Sequence, residues 1–138
     1  MNTWLVRGLA MTGVLTLARL ALDVTMEQWP AHDVALRYIG LSCVISMAAT
    51  WGFADGRRKR LQYPDRPERG PDLTMIWLAG GAFAGFATAA LAWLLGQSGN
   101  SLLFELTAGA AWSLLLVFVA AMIGAAVGTI RANRQAPA

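Results

Sequence analysis

One cysteine and one histidine leave this chain of 138 residues with few chemical tools. Cys43 has no second thiol to pair with, so no disulfide forms within the chain. It sits inside an apolar block, where a single thiol is expected to be a small apolar filler. His32 is the sole imidazole, so no cluster of His and Cys with metal-ligand spacing can be assembled, and neither a metal nor a cofactor is expected. No nucleophile–base pair and no phosphate-binding glycine loop is present, so no catalytic residue is assigned and the chain is not expected to be an enzyme. Charge is scarce as well: 14% of residues are Asp, Glu, Lys or Arg, against about a quarter in a soluble domain.

What the chain has instead is apolar sequence, 57% of it, gathered into long blocks. Each block reaches the roughly 20 residues that carry a helix across the hydrocarbon layer. The spans read as residues 4–22, 36–54, 73–95 and 102–130, in one domain covering 1–138, which predicts an all-α, integral membrane four-helix bundle. Between the second and third spans lies a basic loop, 55–72, "DGRRKRLQYPDRPERGPD", whose prolines and glycines predict exposed, irregular chain. "GQSGNS" is a short uncharged turn, which makes the last two helices a tight hairpin.

Lys and Arg placement sets the expected orientation. Arg7, the six basic residues of the loop, Arg131 and Arg134 fall on one side, with only Arg37 on the other. Both termini and the loop are therefore expected in the cytoplasm, and the protein in a bacterial inner membrane. Trp4, Trp51 and Trp77 would mark the inner interface, Trp29 and Trp93 the outer one, and Trp112 the interior of a span. The net charge of +3 comes from residues that flank apolar blocks, which excludes nucleic acid as a partner. Arg57, Arg58, Lys59 and Arg60 face the inner leaflet in this frame, where anionic lipid attracts each by about 1 kcal/mol. Arg19 interrupts the first apolar block, which argues for a retained helix and against a cleaved signal. "WLVRG" at 4–8 echoes "WLAGG" at 77–81, but the match fades outside those positions.

Polar residues inside spans are expected to face protein. Gly8, Thr12, Thr16, Arg19 and Asp23 form one stripe, Ser42, Ser46 and Thr50 another, and Glu105, Gly109 and Ser113 a third. Near the outer face, Arg19, Asp23, Arg37 and Glu105 come to similar depth and are the candidate substrate or coupling residues. Arg19 is spaced to pair with Asp23 on its own helix, or with Glu105 across helices; a structural ion pair is the simpler reading. "GAFAG", Gly81 to Gly85, and "GAAVG", Gly124 to Gly128, match the small-xxx-small pattern of close helix packing, within the bundle, in a homodimer or against a partner.

Several landmarks recur in a fixed order: "NTWLVRGL", Arg19-Leu20, "WGFADGR", "DLTMIWLAGGAFAG", "LLFELT" and "LLVFVAAMIGAAVG". In that order the chain resembles the small actinobacterial membrane proteins of the bacterial four-helix drug/metabolite-transporter-like family. The resemblance implies a four-helix inner-membrane protein, a small-molecule transporter and a dimer; the expected function is a transporter-like homo-oligomer moving a small amphipathic or cationic solute. Small multidrug transporters couple export to protons through a mid-helix glutamate in their first span. Here that span carries Arg19, and the acid within a span is Glu105. The alternative expectation is an accessory subunit packed against a larger envelope or respiratory complex, with membrane lipids as its other contacts.

Overall fold

A computed structural model describes residues 3–135, with the Pro67 side chain outside the description. Those residues form four helices, each long and apolar enough to cross a membrane: α1 Thr3–Gln28, α2 Asp33–Gln62, α3 Leu73–Leu94 and α4, a continuous helix over Leu102–Gln135. No strand occurs among the described residues. Short 3-10 turns at Pro30–His32 and Pro67–Arg69 punctuate the first two connections.

The helix ends follow local chemistry. Asp72 caps α3, accepting from the Thr74 and Met75 amides at 3.0 and 3.4 Å. Gly96, at φ 69°, ends the same helix; its amide donates to the Trp93 carbonyl and that of Gln97 to Ala92. That doubled bond closes a Schellman motif, which needs a left-handed residue where Gly96 stands. Ser101 then accepts from the Phe104 amide to start α4.

Three helix ends lie well beyond the sequence expectation. α1 continues past Leu22 to Gln28. α2 runs through Arg57–Arg60 to Gln62, so the irregular part of the basic loop begins only at Tyr63. Nothing between Asp55 and Gln62 breaks a helix; the first proline is Pro64, and Lys59 and Arg60 favour a helix C-terminus. α4 extends to Gln135 and contains a π-helical turn at Glu105–Gly109, in which the Ala110 amide reaches back to the Glu105 carbonyl.

In space the neighbours are α1–α3, α3–α4 and α4–α2, with a thinner seam where α2 meets α1. The α2–α4 contact is the closest. A Cβ built on Gly52 or Gly56 would collide with the carbonyls of Ala121 or Ala125, and one on Gly124 or Gly128 with those of Ala49 or Phe53. The two backbones thus touch reciprocally, four glycines long. In lipid, apolar burial alone gives helices no reason to associate, so such close approach and its dispersion contacts hold the pair. A Cβ on Gly85 would sit 2.6 Å from the Ala110 carbonyl oxygen and one on Gly81 would press on Leu114, so both glycines let α3 approach α4. All four glycines named from sequence therefore serve contacts within the bundle. Gly52 and Gly56, which do so most tightly, were not among them. Met11, Leu15, Val44, Trp77, Val117 and Ala121 fill the space between the helices.

Candidate functional site

Each end of the bundle carries a polar crosslink. At the end where α1 begins and α4 finishes, hereafter the basic end, Asp55 is buried on α2. The Arg7 guanidinium donates to it twice, Nε to Oδ2 and Nη2 to Oδ1, both at 2.8 Å. Trp77 donates its indole N–H to Oδ2 at 3.1 Å, reaching across the bundle from α3. Arg7 also lies over the Trp51 and Trp77 rings at 6.0 and 5.8 Å, and the two rings meet edge to face. Three N–H groups thus converge on this carboxylate. Sequence reasoning set Asp55 at the start of a loop and Trp77 at an interface; the structure turns both inward, and Trp77 is fully buried. The missed signal was spacing: in "WGFADGR" Asp55 shares a helix with Gly52 and Gly56.

At the opposite end Glu105 is buried, on the π-helical turn. Its Oε1 accepts from the Ser98 hydroxyl at 2.7 Å and the Asn100 carboxamide at 3.5 Å, both from the α3–α4 turn. Its Oε2 lies 3.9 Å from Arg19 Nη1 on α1, which stands across the bundle. Gly109 makes room for this carboxylate, since a Cβ there would sit 2.7 Å from Oε2. The Arg19 side chain stays 36% exposed, against 14% for Arg7.

The structure thus brings Arg19 toward Glu105. Among the described residues Asp23 and Arg37 form no ion pair within 4.0 Å. Instead Arg19, Asp23 and Arg37 line one chamber of about 250 Å³ with Leu22, Met26 and Gln97. A second cleft of about 190 Å³ shares Arg19, Leu22 and Arg37 and continues between α1, α2 and α4 along Leu15, Ala18, Val44 and Leu116. Together they open the α1–α2 seam at this end, while Arg7 and Asp55 close it at the basic end. Buried oxygens of Thr16, Thr88 and Gln97 have no hydrogen-bond partner.

Other expected positions are less site-like. Ser42, Ser46 and Thr50 face outward, not into the bundle. The Ser42 and Thr50 hydroxyls are satisfied by the carbonyls of Tyr38 and Ser46 on their own helix, so they need no neighbour. Cys43 is exposed beside them, no core filler, and Trp112 is exposed at the cleft's edge. In the basic run, Arg57 donates to Gln135 at 3.4 Å, and Arg60 donates to Asn133 and to the Pro64 carbonyl. Those bonds tie the end of α2 to the end of α4. Arg58 is exposed, and Lys59 lines a cleft with Arg60, Asp72 and Thr129. No group of three or more His, Cys, Asp or Glu is placed to hold a metal among the described residues.

Comparison with known protein families and with curated proteins gives no match to this chain.

Proposed function

We propose that this chain is a small transporter-like protein of a bacterial inner membrane, with both termini and the basic end in the cytoplasm. It admits a small amphipathic solute at the α1–α2 seam and works as a homo-oligomer. The observation that carries the reading is the asymmetry of that seam. It is open at the outer end as a cleft with polar and apolar parts, and closed at the inner end by the Arg7–Asp55 pair, whose carboxylate is buried. Carriers work by exposing one site alternately to two sides, and a seam closed at one end has the geometry of one such state. The sequence resemblance to four-helix drug/metabolite-transporter-like proteins points to the same class.

Reconstitution tests the proposal. Proteoliposomes containing the protein are expected to take up single-chain amphiphiles faster than protein-free vesicles. Gly40 faces Leu22 across the seam, with a Cβ there 3.1 Å from the leucine Cδ1. Gly40→Trp is therefore expected to jam it and return uptake to background. Uptake equal to that of empty vesicles would sink the proposal. Glu105 is the acid that would exchange a coupling proton, and Glu105→Gln is expected to abolish pH-driven uptake while the protein still folds. Unchanged pH-driven uptake removes that role.

A second reading, an accessory subunit of a larger membrane complex, draws on one observation. α2 is the least enclosed helix, and Tyr38, Ile39, Ser42, Ser46, Met47 and Thr50 line an open groove along it. The mass of the intact assembly in mild detergent separates the two. A homo-oligomer keeps the carrier reading, and a stoichiometric complex with other proteins replaces it.

A further inference from the structure

We infer that the outer cleft is selective for an amphiphile with an oxyanion head and a single hydrocarbon chain. The inference deepens the carrier reading and rests on it for movement of the solute, whereas binding stands apart. The two cavities meet at Arg19, Leu22 and Arg37, which line both. Both arginines therefore line the junction between a polar chamber and an apolar slot.

Their donors are unspent. The arginines that donate hydrogen bonds within the described residues are Arg7, Arg57 and Arg60. Arg19 has one long contact to Glu105, and Arg37 has no ion pair among the described residues. A guanidinium carries five donors in a planar fork that fits a carboxylate or phosphate two bonds at a time. The acids nearby do not cancel this pair. Asp23 lines the same chamber and is exposed, as Arg37 is, while Glu105 faces Arg19 and already accepts from Ser98 and Asn100. Gln97 adds a carboxamide whose buried oxygen has no partner. Oxygen and nitrogen exchange places by a flip, which would aim donors at an oxyanion. A cationic head, by contrast, would meet a chamber lined by two arginines and one carboxylate, Asp23, which leaves it positive on balance.

Below the junction the lining turns apolar, with Leu15, Ala18, Val44 and Leu116. Trp112, 63% exposed, stands at the edge of the slot. At about 190 Å³ the slot is small, and its opening between helices would let a longer tail run on into the bilayer. Head and tail sites follow the membrane's own polarity gradient, so the ligand enters without turning over.

The test compares dodecyl phosphate with dodecyltrimethylammonium, two probes of equal chain length, binding to the protein in discs of zwitterionic lipid. The phosphate is expected to bind at least tenfold more tightly. Arg37→Gln breaks no contact seen in the structure; it is expected to leave thermal unfolding unchanged and to weaken dodecyl phosphate about tenfold, the scale of one charge-assisted hydrogen bond. Inorganic phosphate is expected to bind far more weakly, because it leaves the slot empty. Equal binding of the two dodecyl probes, or an unaltered affinity in Arg37→Gln, overturns the inference. So does full displacement by phosphatidylglycerol added to the discs, which would make the occupant a bilayer lipid. Dodecyl phosphate that binds but is not carried into proteoliposomes keeps the assignment of the cleft and removes the carrier. Carriage of the ammonium probe without phosphate binding does the reverse.

Discussion

Asp55 and Glu105 are the two buried carboxylates of the described residues, and their surroundings predict different behaviour on mutation. Asp55 receives two guanidinium N–H groups and an indole N–H. Removing it strands the buried Trp77 indole and the part-buried Arg7 guanidinium, and breaking a buried pair costs up to about 3–5 kcal/mol. Asp55→Ala is expected to lower the unfolding temperature of the detergent-solubilised protein by far more than Arg19→Ala does. Arg19 is half-solvated at 3.9 Å from its partner, and pairs of that kind contribute about 0–1 kcal/mol. Arg7→Ala combined with Asp55→Ala should cost clearly less than the sum of the two single changes. Simple additivity would contradict the bidentate geometry. Gly109 supplies a third residue-level test. Gly109→Ala places a methyl against Glu105 Oε2 and should push the carboxylate off its position. Arg19→Ala is then expected to have no further effect on stability in that background, whereas an undiminished effect would show the pairing intact.

Among the elements, the α2–α4 contact matters most. Gly52→Ala or Gly124→Ala drives a methyl into a carbonyl of the facing helix, and neither backbone can yield without parting the pair. A loss of about 1–3 kcal/mol is expected, the usual range for overpacking. Gly13→Ala is the matched control, since nothing lies within 4 Å of its would-be Cβ. Unfolding of the three variants side by side measures the difference, and equal losses at Gly13 and Gly52 would refute the contact. The four helices were legible from apolar run length, and Gly81, Gly85, Gly124 and Gly128 from their spacing. Gly52 and Gly56 have that spacing too, but Trp51, Asp55 and four basic residues made the segment resemble a membrane boundary. A charge that is paired inside a bundle is indistinguishable in sequence from one that meets water. The π-helical turn at Glu105–Gly109 left no mark in "ELTAG" that periodicity detects. Outward Ser42, Ser46 and Thr50 were misread for a related reason: a hydroxyl bonded to its own helix carries no information about which side it faces.

As a whole molecule, the bundle has its charged residues sorted by end, which makes orientation testable. Arg7, Arg57, Arg60, Arg131 and Arg134 gather at one end, and the α3–α4 turn lies at the other. In a Cys43→Ser background, a cysteine at Asp65 is expected to resist a membrane-impermeant maleimide until cells are lysed. One at Gln28, the last residue of α1 at the far end, should react in intact cells. The opposite pattern would place the basic end outside and invert the proposed carrier.

The glycine-lined union of α2 with α4 also has a consequence in time. A ribosome delivers α2 long before α4, and α1, the helix already present, offers α2 only a thin seam. Until the last helix is threaded in, the notch at Gly52 and Gly56 faces lipid with nothing to fit it. The nascent chain is therefore expected to be half-assembled over that interval, with α2 open to any protease that recognises unpaired helices. A chain stopped after Leu94 is expected to be inserted and then cleared, with a half-life well below that of the full chain in a pulse–chase experiment.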